Sequence, residues 1–206
     1  MNENYDKSIL MDGENVLWDG KPNKKSFVWQ KIMNGAMVAL IWGGFDFFML
    51  SFILNMGGIN RGIMLFLIAF FGIHLIPVWM WLANVVTANK IWENMYYIVT
   101  DRRIIFQFGL IAEEYNSLYY KDITNVSLKI GVFDKIFNTG DIILANANAN
   151  ANNTTISRNS SIIDIENPRE IYKKIQKIAL DIQTDIHYPN ALRPDTNEGF
   201  KTKYKG

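Results

Sequence analysis

Met33-Asn34-Gly35-Ala36-Met37-Val38-Ala39-Leu40-Ile41-Trp42 opens an apolar run that continues to Met56. After Gly57-Gly58-Ile59-Asn60-Arg61 a second run extends from Gly62 to Val86. Each is about 24 residues long, above the ~20 that cross a bilayer core as a helix. The short connection permits only an antiparallel return, so residues 32–87 are expected to form a membrane hairpin. The first run begins too late and runs too long for a cleaved signal peptide, whose apolar core is ~7–15 residues. Asp46 interrupts it at a cost of roughly 3 kcal/mol. Ten Val, Leu, Ile and Phe residues between Val38 and Leu54 offset that cost, at about 3–6 kcal/mol together.

Basic residues set the orientation. Lys21, Lys24, Lys25 and Lys31 precede the first run, Lys90, Arg102 and Arg103 follow the second, and only Arg61 lies between. Both termini are therefore expected in the cytoplasm, with Trp79, Trp81 and Trp92 as an aromatic belt at the inner end of the second helix. The whole-chain averages, a net charge of +1 and a mean hydropathy near zero, blend this apolar part with a polar one. Near-neutral charge argues against nucleic acid as a partner, since that binding needs concentrated Lys and Arg. Cysteine is absent, which removes disulfides and thiolate chemistry. The two histidines, His74 and His187, fall in unrelated regions, so neither a metal nor another cofactor is expected.

Residues 1–31 read as a polar N-terminal segment with one apolar island, Val16-Leu17-Trp18, which is expected to pack on the C-terminal domain. Residues 93–186 read as that domain. Met95–Thr100 and Arg103–Phe108, rich in aromatic and β-branched residues around Asp101-Arg102, predict a β-hairpin. Further strands are expected at Ala112–Tyr119, Ile123–Ile130, Asp141–Ala145, Thr154–Arg158 and Ser161–Ile165. The Ala-Asn repeat at 145–153 suggests an elongated hairpin loop. Asn167-Pro168-Arg169-Glu170 then opens a helix. Its apolar stripe is Ile171, Ile175, Ile178, Ile182 and Ile186. Residues 187–206 read as a disordered tail.

Strands closed by one amphipathic C-terminal helix predict a mainly-β pleckstrin-homology (PH)-like barrel beside the membrane α-helical hairpin. Five landmarks in order carry a resemblance. They are Asp12-Gly13-Glu14-Asn15-Val16-Leu17-Trp18-Asp19-Gly20-Lys21-Pro22, Tyr97-Ile98-Val99-Thr100-Asp101-Arg102-Arg103-Ile104-Ile105, Lys121-Asp122-Ile123, Thr139-Gly140-Asp141-Ile142 and Ile165-Glu166-Asn167-Pro168. In these the chain resembles the YdbS-like bacterial PH-domain membrane proteins. The resemblance implies a multi-pass protein of the bacterial inner membrane, related membrane proteins as partners, and a setting of envelope stress and resistance to membrane-active peptides.

Two sets of residues are candidates for function. Asp46 and His74 lie ~15 and ~18 Å from the outer connection at ~1.5 Å per residue, so they are able to face each other across the hairpin. Such a pair is either proton- or ion-responsive or a structural polar contact between helices. Arg102, Arg103, Lys121, Lys129 and Lys135 are candidate lipid or partner contacts. No His–nucleophile pair, phosphate loop or acidic metal cluster is legible, and no enzyme is expected. The expected role is a non-catalytic scaffold or subunit of a membrane complex, as a homo-oligomer or with a related protein. The alternative is a lipid or membrane-state sensor that reads anionic lipid.

Overall fold

The computed structural model describes residues 6–146 and 160–187. The Ala-Asn repeat beyond Asn146, the strand expected at 154–158 and the tail beyond His187 lie outside the described residues. The chain divides into two compact units, one of residues 1–26 and 91–206, the other Phe27–Lys90.

The first unit holds two antiparallel sheets. One is ordered β1-β2-β3-β4, with β1 Val16–Gly20, β2 Tyr96–Thr100, β3 Arg103–Phe108 and β4 Glu114–Tyr119. The other is β5-β6-β7, with β5 Ile123–Lys129, β6 Thr139–Asn146 and β7 Ser161–Glu166. A 3-10 turn, Tyr120–Asp122, carries the chain from one sheet to the other. The expected barrel is therefore corrected to two separate sheets. The reason lies at the edge of β2, whose ladder is taken by the Val16-Leu17-Trp18 island: β1 pairs Trp18 with Val99 and Gly20 with Tyr97. No main-chain edge of β2 is left for the second sheet to complete a closed barrel.

β2 is buried along its whole length, which explains a strand that reads as a continuous apolar run rather than an alternating one. Tyr96 and Ile98 pack with Ile105 against Ile9, Leu10 and Val16 of the N-terminal segment. Tyr97 faces the other way, where its hydroxyl accepts from the Ile163 N–H of β7. The short helix between β5 and β6, Val132–Phe137, was not expected from the sequence. The last helix, Pro168–His187, lies against β5, β6 and the 3-10 turn. Its Ile171, Ile175 and Ile178 are buried and Ile182 is half-buried.

The second unit is apolar helix. Lys24–Met33 and Ala36–Met56 run as one 33-residue helix, Lys24–Met56, that is long and apolar enough to cross a membrane. Gly35 marks its interruption with φ +87°, a conformation glycine adopts freely. The Ile32 carbonyl released there accepts from the Trp81 indole. The second apolar run is two helices, Arg61–His74 and Ile76–Glu93, bent by 56° at Leu75. Pro77 has no N–H to donate, which accounts for the break. Trp42 donates to the carbonyl of His74 and Trp79 to that of Gly72, so carbonyls beside the break remain paired. In chain order the helices are α1 Lys24–Met33, α2 Ala36–Met56, α3 Arg61–His74, α4 Ile76–Glu93, α5 Val132–Phe137 and α6 Pro168–His187.

Candidate functional site

β1 ends at Gly20, just before α1, and β2 begins at Tyr96, just after α4. One end of the first sheet is thus where the chain leaves for the apolar helices. The four steps from Tyr96 to Thr100 put the opposite end roughly 13 Å away at ~3.3 Å per residue. At that far end Glu14 and Arg103 form a buried ion pair. Arg103 Nε donates to Glu14 Oε1 at 3.0 Å and a terminal nitrogen to Oε2 at 3.1 Å. The Thr100 hydroxyl and the Met11 N–H also donate to Glu14. Burial alone would push the Glu14 pKa up; the bonds from Arg103, Met11 and Thr100 outweigh it and hold the carboxylate below its usual range. Two of the sequence landmarks therefore meet as ion-pair partners, 89 residues apart.

This takes Arg103 out of the set of surface cations. Its guanidinium is buried, and besides Glu14 it donates to Ser117 and the Ile9 carbonyl. Arg102 is half-buried beside the Gly13 carbonyl. Lys121 is exposed and sits on the 3-10 turn, which Tyr120 ties to this far end by donating to the Thr100 carbonyl. Lys129 and Lys135, both exposed, lie at the other end of β5. The six steps from Ile123 to Lys129 separate them from Lys121 by about 20 Å. The five basic candidates do not converge on one mouth.

At the near end the fold assembles a cluster that sequence spacing did not reveal. Asp134 of α5, Asp141 of β6 and Asp164 of β7 are all buried, with carboxylate oxygens within 4.8 Å of one another. Asp134 accepts from the Gly131 N–H at 2.7 Å and from the Thr139 hydroxyl at 3.0 Å. Thr139 contacts the Ser26 hydroxyl at 3.1 Å, and Ser26 in turn donates to Asp164. Asp141 accepts from the Asp164 N–H at 2.9 Å. Three convergent carboxylates are of the kind that hold hard divalent cations. Here the oxygens face N–H and O–H donors, and the arrangement works as a hydrogen-bonded knot joining the start of α1 to α5, β6 and β7. Burial raises the pKa of Asp141, and it pushes Asp164 up to about 7, with Asp141 and Asp134 adding to the effect against the Ser26 bond.

Beside the knot opens a cleft of about 510 Å³ whose walls include Trp18, Lys21, Lys24, Trp92, Glu166 and Glu170. The Lys24 and Lys21 ammonium groups stand 4.8 and 5.2 Å from the Trp92 ring. Lys21 also donates to the Glu93 carbonyl at 2.7 Å.

In the helical unit Asp46 and His74 are in contact. His74 Nδ1 lies 2.8 and 2.9 Å from the two oxygens of Asp46. Asp46 is buried, and the imidazole stacks between Trp42 and Phe70 with centroids 5.2 Å away on each side. A ring clamped by two aromatics and a carboxylate is fixed in orientation, as a structural helix–helix contact requires. Interhelical hydrogen bonds of this kind average about 0.6 kcal/mol and reach about 1.7. Asp46→Asn, which keeps an acceptor for Nδ1, is expected to remain folded with a loss inside that range, read as a small fall in melting midpoint. A folded Asp46→Asn chain that has lost its function would instead assign the pair a proton- or ion-linked role.

Two antiparallel sheets followed by an amphipathic C-terminal helix define a PH-like domain. The profile of the bacterial PH domain family matches residues 39–179, more than half of the sequence, and the chain belongs to that family. No curated protein matches the chain, and no solved structure does.

Proposed function

We propose that this chain is a non-catalytic, membrane-anchored PH-like scaffold or subunit of a complex in the bacterial inner membrane. In this reading both apolar runs cross the bilayer and both termini are cytoplasmic. The observation that carries it is the surface of the helical unit. Met37, Leu40, Phe47 and Phe48 are each more than 70% exposed, and in the most apolar stretch of Lys24–Met56 only 11% of residues are buried. A core helix of a soluble domain hides its apolar residues; an exposed patch of this extent marks a membrane or a partner. The basic residues flanking the runs support the orientation. Membership in a family of binding domains supports a binding rather than a catalytic role. The resemblance to YdbS-like proteins adds envelope stress and resistance to membrane-active peptides as the physiological setting.

The test is purification of the tagged full-length chain from its native membrane in mild detergent, with identification of what accompanies it. A stoichiometric membrane protein, or a defined homo-oligomer, is the expected result. A monomer that leaves the membrane in alkaline carbonate would overturn the anchor, and a carbonate-resistant monomer without protein company would overturn the scaffold.

A further inference from the structure

β5 is paired on one side only. It forms a ladder with β6 and, among the described residues, no strand pairs with its other side. Its first carbonyl, that of Ile123, accepts instead from the Gln183 side chain of α6 at 2.6 Å. An unpaired edge is a template for a further extended chain unless brevity, proline or charge guards it. β5 is seven residues long, has no proline and carries its one charge, Lys129, at its last position.

Beside that edge opens a groove of about 380 Å³. Residues 123–126, four in succession, form its β5 wall. Successive side chains of a strand point to opposite faces, so a groove that touches all four follows the edge rather than one face. The facing wall is α6, where Lys173, Lys177, Leu180 and Gln183 form one stripe of the helix. The two lysines are exposed, Leu180 is 60% exposed, and no carboxylate lines the groove. α6 runs antiparallel to β5. It starts with Pro168 beside Gly140, next to the Asp141 that pairs with Lys129, and reaches Ile123 at Gln183.

These walls specify an occupant. A free edge takes main chain in extended form, with every second side chain turned to one side. Lys173 and Lys177 are separated by about 6 Å of helical rise. Alternate residues of an extended chain are about 6.6 Å apart. Carboxylates at alternate positions therefore match the two lysines one to one, and the next alternate position falls beside Leu180. A second copy pairing β5 to β5 would set its own α6 lysines beside these, and like charges repel.

We propose that this groove binds an extended acidic segment of a partner protein as a strand added antiparallel to β5. Its alternate carboxylates meet Lys173 and Lys177, and an apolar residue meets Leu180. This gives the scaffold reading its contact surface and rests on that reading, but not on the membrane anchor. The probe is the fluorescein-labelled peptide Thr-Asp-Thr-Glu-Val-Leu-Thr, titrated against the full-length chain in detergent and followed by anisotropy. Saturable binding is expected that weakens with salt. It should weaken about tenfold when both peptide acids become amides, and by about as much in Lys173→Glu/Lys177→Glu. Methylation of one alternate set of peptide nitrogens should abolish binding, and methylation of the other set should spare it, because only one set faces β5. The amide peptide reads the charge match on the native chain should the double variant fail to fold. No binding, or binding indifferent to the lysines or to both methylated sets, would overturn the proposal. A chain that refuses the peptide and runs as a dimer would assign the edge to a second copy and also overturn it. A chain that ignores the peptide yet purifies with a stoichiometric membrane partner would leave the scaffold standing, so the two readings fail separately.

Discussion

Glu14→Ala is expected to destabilise the β-rich unit by about 3 kcal/mol, the lower end of the range for leaving a buried partner charge uncompensated. Arg103 keeps its bonds to Ser117 and the Ile9 carbonyl, which places the loss at that lower end. The Met11 N–H loses its acceptor at the same time, while the Thr100 hydroxyl keeps the Arg103 carbonyl. Because Glu14 precedes β1, the damage should appear first as loss of the N-terminal segment. Amide exchange at residues 9–20 should rise well before that of β3 or β6, exposing the Tyr96–Ile98–Ile105 patch that Ile9, Leu10 and Val16 cover. Glu14→Gln, which keeps two-sided geometry without the charge, should fall between. The lowered pKa also fixes a sign. Stability from Glu14 is present above its unfolded value near 4.5 and is lost as pH falls through the folded one. An Ala variant with unchanged melting and unchanged β1 protection would mean that the pair does not hold the segment.

What was legible in the sequence was local. The β2–β3 hairpin, β4, β5 and the start of α6 at Pro168 each depend on runs of β-branched and aromatic residues or on capping chemistry within a few positions. The apolar runs were legible because length and composition alone mark them. Three things were not legible, each for the same physical reason. The partner of Val16-Leu17-Trp18 is a strand some 80 residues away, and only its pairing with β2 explains why the barrel stays open. Arg103 looked like one surface cation among five until Glu14 claimed it. Asp134, Asp141 and Asp164 carry no spacing that announces them, because a helix and two strands bring them together only in the folded chain. α5 was not legible either: Val132-Phe133-Asp134-Lys135-Ile136-Phe137 is too short for helical periodicity to stand out.

Asp164→Asn is expected to stabilise the same unit at pH 8, against the usual direction for a buried polar substitution. Asp164 is 3% exposed, shares its surroundings with two other carboxylates, and has its pKa pushed up to about 7 from 3.8. At about 1.4 kcal/mol per unit, that shift bounds the cost of its charge near 4 kcal/mol above neutrality. The amide removes the charge and keeps an oxygen to accept from Ser26. Its NH₂ gains carboxylates to donate to, and Asn tolerates the φ of +54° at this position. A net gain of roughly 1–3 kcal/mol follows, less than the bound because the new side chain must repack among groups fitted to the old one. Sign distinguishes this from a generic effect. A raised folded pKa contributes stability that is complete below pH 3.8 and declines as pH climbs to about 7, so the native chain should lose stability across that window. The Asn variant should show a flatter profile there and converge with the native chain near pH 4. Glu14 acts in the opposite direction below about pH 4.5, so these two groups together place the stability maximum near pH 4–5, with the acid limb belonging to the Glu14 end and the alkaline limb to the knot at Ser26. Thermal melts of the full chain in detergent, from well below pH 4 up to pH 8, separate the two limbs. Destabilisation of Asp164→Asn at pH 8 would show that the knot is held by the Asp164 charge rather than strained by it.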